Sequence, residues 1–280
     1  MNLLSRIFCS VVLLGALSTF AMAGPPYFTD DPETVEFHHW EVYIASQYLH
    51  RLGEVDGTAP HFELNYGIVP NVQLHLITPF AYANPAGGTN QWGYGDTELG
   101  VKFRFLQETK TRPMVGIFPL IEVPTGNANK GLGAGQAGYF LPIWLQKSFG
   151  NWSSYGGGGY WHNPGPGNRD YWFMGLQAQT QATKNLSLGG ELFHTTPSTV
   201  QGNAQTGFNL GAVYDFDEGH HLLFSVGKGF QKQNLGTAYL AFQWTFGPKE
   251  KAENLDPNRA KANMDAALGG MRPSTRSTGP

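Results

Sequence analysis

Apolar and polar positions alternate along most of this chain between residues 40 and 246. In Trp40-Glu41-Val42-Tyr43-Ile44-Ala45 the apolar side chains fall on every second position. Phe62, Leu64, Tyr66 and Ile68 oppose His61, Glu63 and Asn65; then Val72, Leu74 and Leu76 oppose Gln73 and His75. Leu99, Val101, Phe103 and Phe105 point one way, and Glu98, Lys102 and Arg104 the other. A period of two puts each set on one face of a β-strand. Later segments follow the same rule: Ile117, Ile121 and Val123 against Glu122; Tyr139 to Leu145 against Gln146; Trp172, Met174 and Leu176 against Gln177 and Gln179. Leu186, Leu188 and Leu192 oppose Ser187 and Glu191, Phe208 to Tyr214 oppose Asn209 and Asp215, and Leu240 to Phe246 oppose Tyr239 and Gln243. With weaker segments at Tyr155 to Trp161 and Leu222 to Phe230, the pattern predicts about twelve strands. No stretch after residue 24 approaches the roughly 20 apolar residues of a spanning helix.

The connections alternate as well. Val69-Pro70-Asn71, Gln107 to Thr111, Gly150-Asn151, Thr183 to Asn185 and Asp217 to His220 are tight and polar. Between them lie longer stretches: Arg51 to Thr58, Ala83 to Gln91, Thr125 to Ala134, Asn163 to Arg169 and Pro197 to Asn203. An even strand number with short turns at one end and long loops at the other is the plan of an outer-membrane β-barrel, with both termini in the periplasm. A secreted β-sandwich would also alternate. Aromatics at strand ends (Trp40, Phe80, Trp92, Trp172, Tyr214, Trp244 and Phe246) favour the membrane, where they form interfacial girdles. The fold class expected is therefore all-β, a transmembrane up-and-down antiparallel barrel of about 12 strands spanning residues 36–247.

Residues 1–23 carry one cation, Arg6, an apolar run from Val11 to Leu17 and the small-residue end Ala21-Met22-Ala23. That order is the layout of a secretory signal peptide. The only cysteine, Cys9, lies inside it, so the exported chain has no disulfide, thiol nucleophile or Cys-ligated zinc. Charged residues make up 14% of the chain, against about 25% in an ordinary soluble domain. The net charge of −3 offers no footprint for nucleic acid. Residues 24–35 read as an N-terminal periplasmic segment, able either to enter the barrel as a plug or to lie on its rim. Residues 248–280 read as a polar, mostly disordered periplasmic tail with a short helix from Asn258 to Leu268.

Two stretches carry a family resemblance. Gly24-Pro25-Pro26-Tyr27-Phe28-Thr29-Asp30-Asp31-Pro32-Glu33 precedes the first strand, and Trp92-Gly93-Tyr94-Gly95-Asp96-Thr97-Glu98-Leu99-Gly100-Val101-Lys102-Phe103-Arg104-Phe105 is followed by Pro124-Thr125-Gly126. They resemble the bacterial outer-membrane transporter-like family labelled for the MetA pathway of phenol degradation. The resemblance covers nearly the whole exported chain and implies an outer-membrane protein associated with aromatic catabolism. The chain departs from many outer-membrane barrels in continuing past Phe246, where a terminal aromatic usually serves as the assembly signal.

If the apolar faces meet lipid, Glu41, Glu63, Glu98, Lys102, Arg104, Glu122 and Glu191 face the lumen and are the pore candidates. The amides Gln47, Asn65, Gln73, Gln146, Gln177, Gln179, Asn209 and Gln243 join them. Five carboxylates against two cations make a mildly acidic wall that disfavours anions. In the alternative the same groups only fill the interior, with Glu98 or a neighbouring carboxylate paired to Lys102 and Arg104. Tyr43, Phe193 and Tyr239, aromatics on polar faces, are candidates for stacking with an aromatic solute or for filling space. No cofactor or metal is expected: Gly133 to Gly138 matches a dinucleotide fingerprint only outside its strand-to-helix context, and adjacent residues in His38-His39 and His220-His221 face opposite sides. No catalytic triad is specified either, so an enzyme is not expected. The expected function is passive passage of small solutes, aromatic or hydrophobic ones among them. The alternatives are a structural or adhesin-like barrel with a closed lumen and, less favoured, a lipid-side hydrolase. Expected partners are outer-membrane lipid, the assembly machinery and a small solute.

Overall fold

The computed structural model describes residues 25–51, 53–84, 88–231 and 235–248. Residues 1–23, read as a signal peptide, Gly24 and the tail beyond residue 248 lie outside the described residues. Fourteen strands follow in order: β1 (Trp40–Arg51), β2 (Glu54–Val69), β3 (Val72–Asn84), β4 (Gln91–Tyr94), β5 (Thr97–Leu106), β6 (Met114–Ile117), β7 (Leu120–Val123), β8 (Gly138–Phe149), β9 (Trp152–His162), β10 (Tyr171–Thr183), β11 (Leu186–Thr195), β12 (Gln205–Asp217), β13 (His220–Gly229) and β14 (Gly236–Phe246). All are antiparallel to their neighbours. β1 pairs with both β2 and β14, from Trp40 opposite Phe246 to His50 opposite Gly236, and this pairing closes the sheet on itself.

Twelve staves result, because four of the strands are halves of two staves. β4 and β5 both lie along β3, with Ala83 opposite Gln91 and Val72 opposite Phe103; β6 and β7 both lie between β5 and β8. The second break falls at Phe118-Pro119, where proline has no N–H for the ladder. Phe118 turns inward and is buried there, and the Val101 amide still reaches the Pro119 carbonyl at 3.1 Å. The first break falls at Gly95-Asp96. Here Asp96 accepts the Gly126 amide at 2.8 Å and the Ala134 amide at 2.6 Å. Thr125 Oγ1 accepts the Thr97 amide at 2.9 Å and donates to the Gly95 carbonyl at 2.9 Å. The Gly-Asp-Thr and Pro-Thr-Gly stretches are thus two sides of one junction, which folds the 125–135 loop over β4 and buries Leu132.

The tight turns follow local chemistry. Asn71 takes the left-handed conformation, φ 67°, between β2 and β3, a conformation asparagine tolerates. At the other end Asp170 receives Tyr160 Oη at 2.6 Å and the Asn163 amide at 2.8 Å, which hold its carboxyl down to about 2.

Strand parity sorts the side chains as the alternation predicts. Leu141, Leu176, Leu192, Leu210 and Leu240 are exposed on the outer face, while Asn65, Gln146, Gln177, Asn209 and Gln243 are buried inside. Exposed aromatics ring both ends: Trp40, Phe149, Trp152, Tyr214, Phe216 and Phe246 at the short-turn end, and Phe80, Trp92, Tyr94, Trp172 and Phe230 at the other.

The midpoint outer position of β12 gives a test. Leu210→Arg is expected to destabilise the folded barrel by about 2–4 kcal/mol, the cost of a cation at mid-bilayer depth. Urea unfolding in lipid vesicles measures it, and an unchanged midpoint would mean that this face does not meet hydrocarbon.

Candidate functional site: the occupied lumen

The lumen is filled first by the chain's own N-terminal segment. Residues 25–35 run inside the barrel, so of the two placements the sequence left open, plug or rim, these residues take the plug. The Pro26 carbonyl accepts Ser225 Oγ of β13 at 2.6 Å. Glu191 of β11 accepts the Phe28 amide at 2.8 Å, the Thr29 amide at 2.8 Å and Thr29 Oγ1 at 2.6 Å, and also Asn209 Nδ2 at 2.5 Å. Lys102 of β5 donates to Asp30 at 2.9 Å and lies 3.9 Å from Asp31. Glu33 accepts Gln146 Nε2 of β8 at 3.2 Å and lies 3.9 Å from Arg104. Gln73 of β3 accepts the Val35 amide at 2.9 Å, and the His38 amide reaches the Gly67 carbonyl of β2 at 2.7 Å.

This geometry follows from two constraints. An extended segment in a closed space has backbone amides that need acceptors, and the wall offers a carboxylate and amides at the matching heights. The segment also needs room, which inward-facing glycines supply. A Cβ at Gly175 would collide with Thr29 Oγ1, and one at Gly189 would stand 2.7 Å from Tyr27 Oη. Thr29 and Asp31 are fully buried as a result.

All seven pore candidates point inward, but their partners differ from the sequence expectation. Glu98 pairs with neither Lys102 nor Arg104. Four and six residues along a strand are separated by about 13 and 20 Å, too far for contact, so both cations turn to the plug's carboxylates. Arg104 Nε also donates to Asn71 Oδ1 at 3.0 Å. Glu98 instead meets His75 Nε2 at 2.9 Å; His75 Nδ1 faces Asn65 Oδ1 at 2.7 Å, while Asn65 Nδ2 donates to Glu63 at 2.8 Å. Both ring nitrogens face acceptors, an arrangement that an imidazolium satisfies. His75 thereby lies between two wall carboxylates, 2.9 Å from Glu98 and 3.7 Å from Glu63. In the sequence alternation His75 is only a polar position, and its place opposite Asn65 follows from the β2–β3 register. Glu41 accepts Tyr43 Oη at 3.1 Å, and Glu122 lies opposite Glu98 on β7.

Apolar side chains fill much of what the plug leaves, a departure from the polar lumen expected. Phe118, Phe140, Trp144, Phe173, Phe193 and Leu235 form one inner cluster, with Phe28 of the plug against it. Tyr43, Ala45, Val213, Leu223 and Ala241 form a second, with Tyr239 beside it. Phe193 therefore meets the plug, edge-on to Phe28 at 5.0 Å, and Tyr43 packs within the wall. Tyr239 borders a cavity beside Pro25 to Phe28 of the plug. Among the described residues no cluster of His, Cys, Asp or Glu has the form of a metal site.

No protein-family profile matches the chain, and no curated protein matches it. Solved structures do. The COG4313 outer membrane channel from Pseudomonas putida F1 superposes with a TM-score of 0.63 at 16% identity, covering 77% of this chain and 98% of that one. The KdgM porin superposes with a TM-score of 0.51 at 12% identity, covering 73% of this chain and 99% of that one. The fold is that of outer-membrane channels.

Glu191 is the densest anchor and gives a prediction. In a Thr34→Cys background, Glu191→Ala is expected to speed labelling by a water-soluble maleimide by about tenfold or more, a shift of about 1.4 kcal/mol toward an unseated plug. Gly175→Val should do the same by steric exclusion. Labelling as slow as in the parent would show that these contacts do not hold the segment in place.

Proposed function

We propose that this chain is an outer-membrane channel for passive passage of small solutes, and that the structure describes its closed, plugged state. The observation that carries the reading is the plug's attachment. It is held by discrete hydrogen bonds and ion pairs to Ser225, Glu191, Lys102, Gln146 and Gln73, each of which can be exchanged for water. The wall beneath it keeps Glu41, Glu63, Glu98, Glu122 and Glu191 against Lys102, Arg104 and His75. An opened lumen therefore prefers cations and neutral solutes over anions. The inner aromatic clusters favour solutes with an apolar body, in keeping with the aromatic or hydrophobic class expected from the sequence. The stretches around Gly24–Glu33 and Trp92–Phe105 support membership of the family labelled for the MetA pathway of phenol degradation. Outer-membrane lipid and the assembly machinery are the partners such a barrel requires.

The second reading, a structural barrel with a permanently closed lumen, is favoured by the filled interior. Planar-bilayer recording separates the two. The intact chain is expected to show low or intermittent conductance, and removal of residues 25–36 a stable open level. A folded, plugless barrel that stays silent would overturn the channel reading and leave the structural one.

Selectivity supplies another test. In a potassium chloride gradient the plugless barrel is expected to show a reversal potential of the sign for cation preference. Glu41→Gln with Glu122→Gln should move that potential toward zero, whereas a potential favouring chloride would contradict the charge assignment of the wall.

A further inference from the structure

A cavity of about 150 Å³ lies beside Pro25 to Phe28 of the plug, between these residues and the strands β1, β2, β3, β12, β13 and β14. From this cavity we infer a solute-binding subsite for a small ring-bearing alcohol or amine, a reading that rests on the channel function proposed above and names its solute class.

Size sets the first limit. A cavity of about 150 Å³ accommodates one benzene-sized ring, so a larger body does not fit without moving the plug. Shape and polarity set the second. Pro25, Pro26 and Ile77 supply an apolar surface for the ring, and polar groups converge from the wall strands. The Tyr239 hydroxyl is buried and has no hydrogen-bond partner among the described residues, although a buried hydroxyl ordinarily finds one. Glu63, buried on β2, adds a carboxylate that accepts hydrogen bonds and repels a second carboxylate. His61 has Nδ1 committed to Thr58 Oγ1 at 2.6 Å and stands 6.1 Å from the Tyr239 ring. These groups ask for a ligand that donates a hydrogen bond to Glu63, meets the orphan hydroxyl of Tyr239 and lays an apolar ring on the prolines. A hydroxyl or ammonium on a single ring does this; the matching carboxylate does not.

The position has a functional consequence. Pro25, Pro26, Tyr27 and Phe28 line the cavity, and Pro26 and Phe28 are hydrogen-bonded to the wall. A bound solute therefore touches the same residues that close the lumen, and the subsite is the last station before the plug.

Binding to the purified full-length barrel in detergent tests the inference, with benzyl alcohol, benzylamine and benzoate as probes and calorimetry as the readout. Saturable binding of the alcohol and the amine is expected, with none of benzoate. Tyr239→Phe should weaken the alcohol about fivefold, the worth of one ordinary hydrogen bond. Ile77→Trp should abolish binding by filling the space, and Glu63→Gln should admit benzoate. Folding of each variant is checked by its heat-modified gel mobility. Binding that is non-saturable, or unchanged in both Tyr239→Phe and Ile77→Trp, would mean partition into detergent or apolar clusters and overturn the subsite. So would the absence of any binding in a protein whose plugless form conducts, and the channel reading would then survive without the subsite.

Discussion

Backbone hydrogen bonding in a medium without water is the constraint from which the rest of this structure follows. No N–H or C=O at bilayer depth can be left to solvent, so a sheet there must close on itself. The pairing of β1 with β14 satisfies that demand. Closure then forces every second side chain into a confined interior. The inner polar groups lose bulk water and must find partners within the barrel. The plug and wall solve this jointly, the plug bringing amides and carboxylates, the wall bringing Glu191, Lys102, Gln146 and Gln73.

Charge is arranged with the same economy. Lys102 and Arg104 would be costly as buried cations without counter-ions. The plug supplies Asp30, Asp31 and Glu33 to them, and His75 stands between Glu63 and Glu98. Lys102 also lies 4.9 Å from the centre of the Phe118 ring, the residue that turns inward at the Pro119 break. The irregularity in the β6–β7 stave is therefore part of the setting of the central cation.

Whereas the long loop expected at Arg51 to Thr58 is strand from Glu54 onward, with Arg51 opposite Glu54, strand number, inward and outward faces and girdles were legible because they depend on period two. Glu41, Glu63, Glu98, Lys102, Arg104, Glu122 and Glu191 could be placed on the inner face for that reason. Their partners could not, because pairing depends on which distant segment fills the lumen. Lys102 and Asp30 are separated by 72 positions, and Phe28 and Glu191 by 163. Nearness in sequence suggested Glu98 for Lys102, and strand rise forbids it. A sharper clue lay in the glycines: Gly175, Gly189 and Gly211 fall on inward positions, where a Cβ would meet Thr29 or Tyr27 of the plug.

The spread of the plug's anchors has a consequence for the order of assembly. Its contacts come from β2, β3, β5, β8, β11 and β13, and the Ser225 contact spans 199 positions. The segment is synthesised before the whole wall, yet its full set of partners exists only once nearly every stave is in place. Loop-closure entropy delays such long-range contacts until the intervening chain is ordered. Seating the plug is thus a late step that reads the completed circumference, and a barrel with a missing or misregistered stave would remain unsealed.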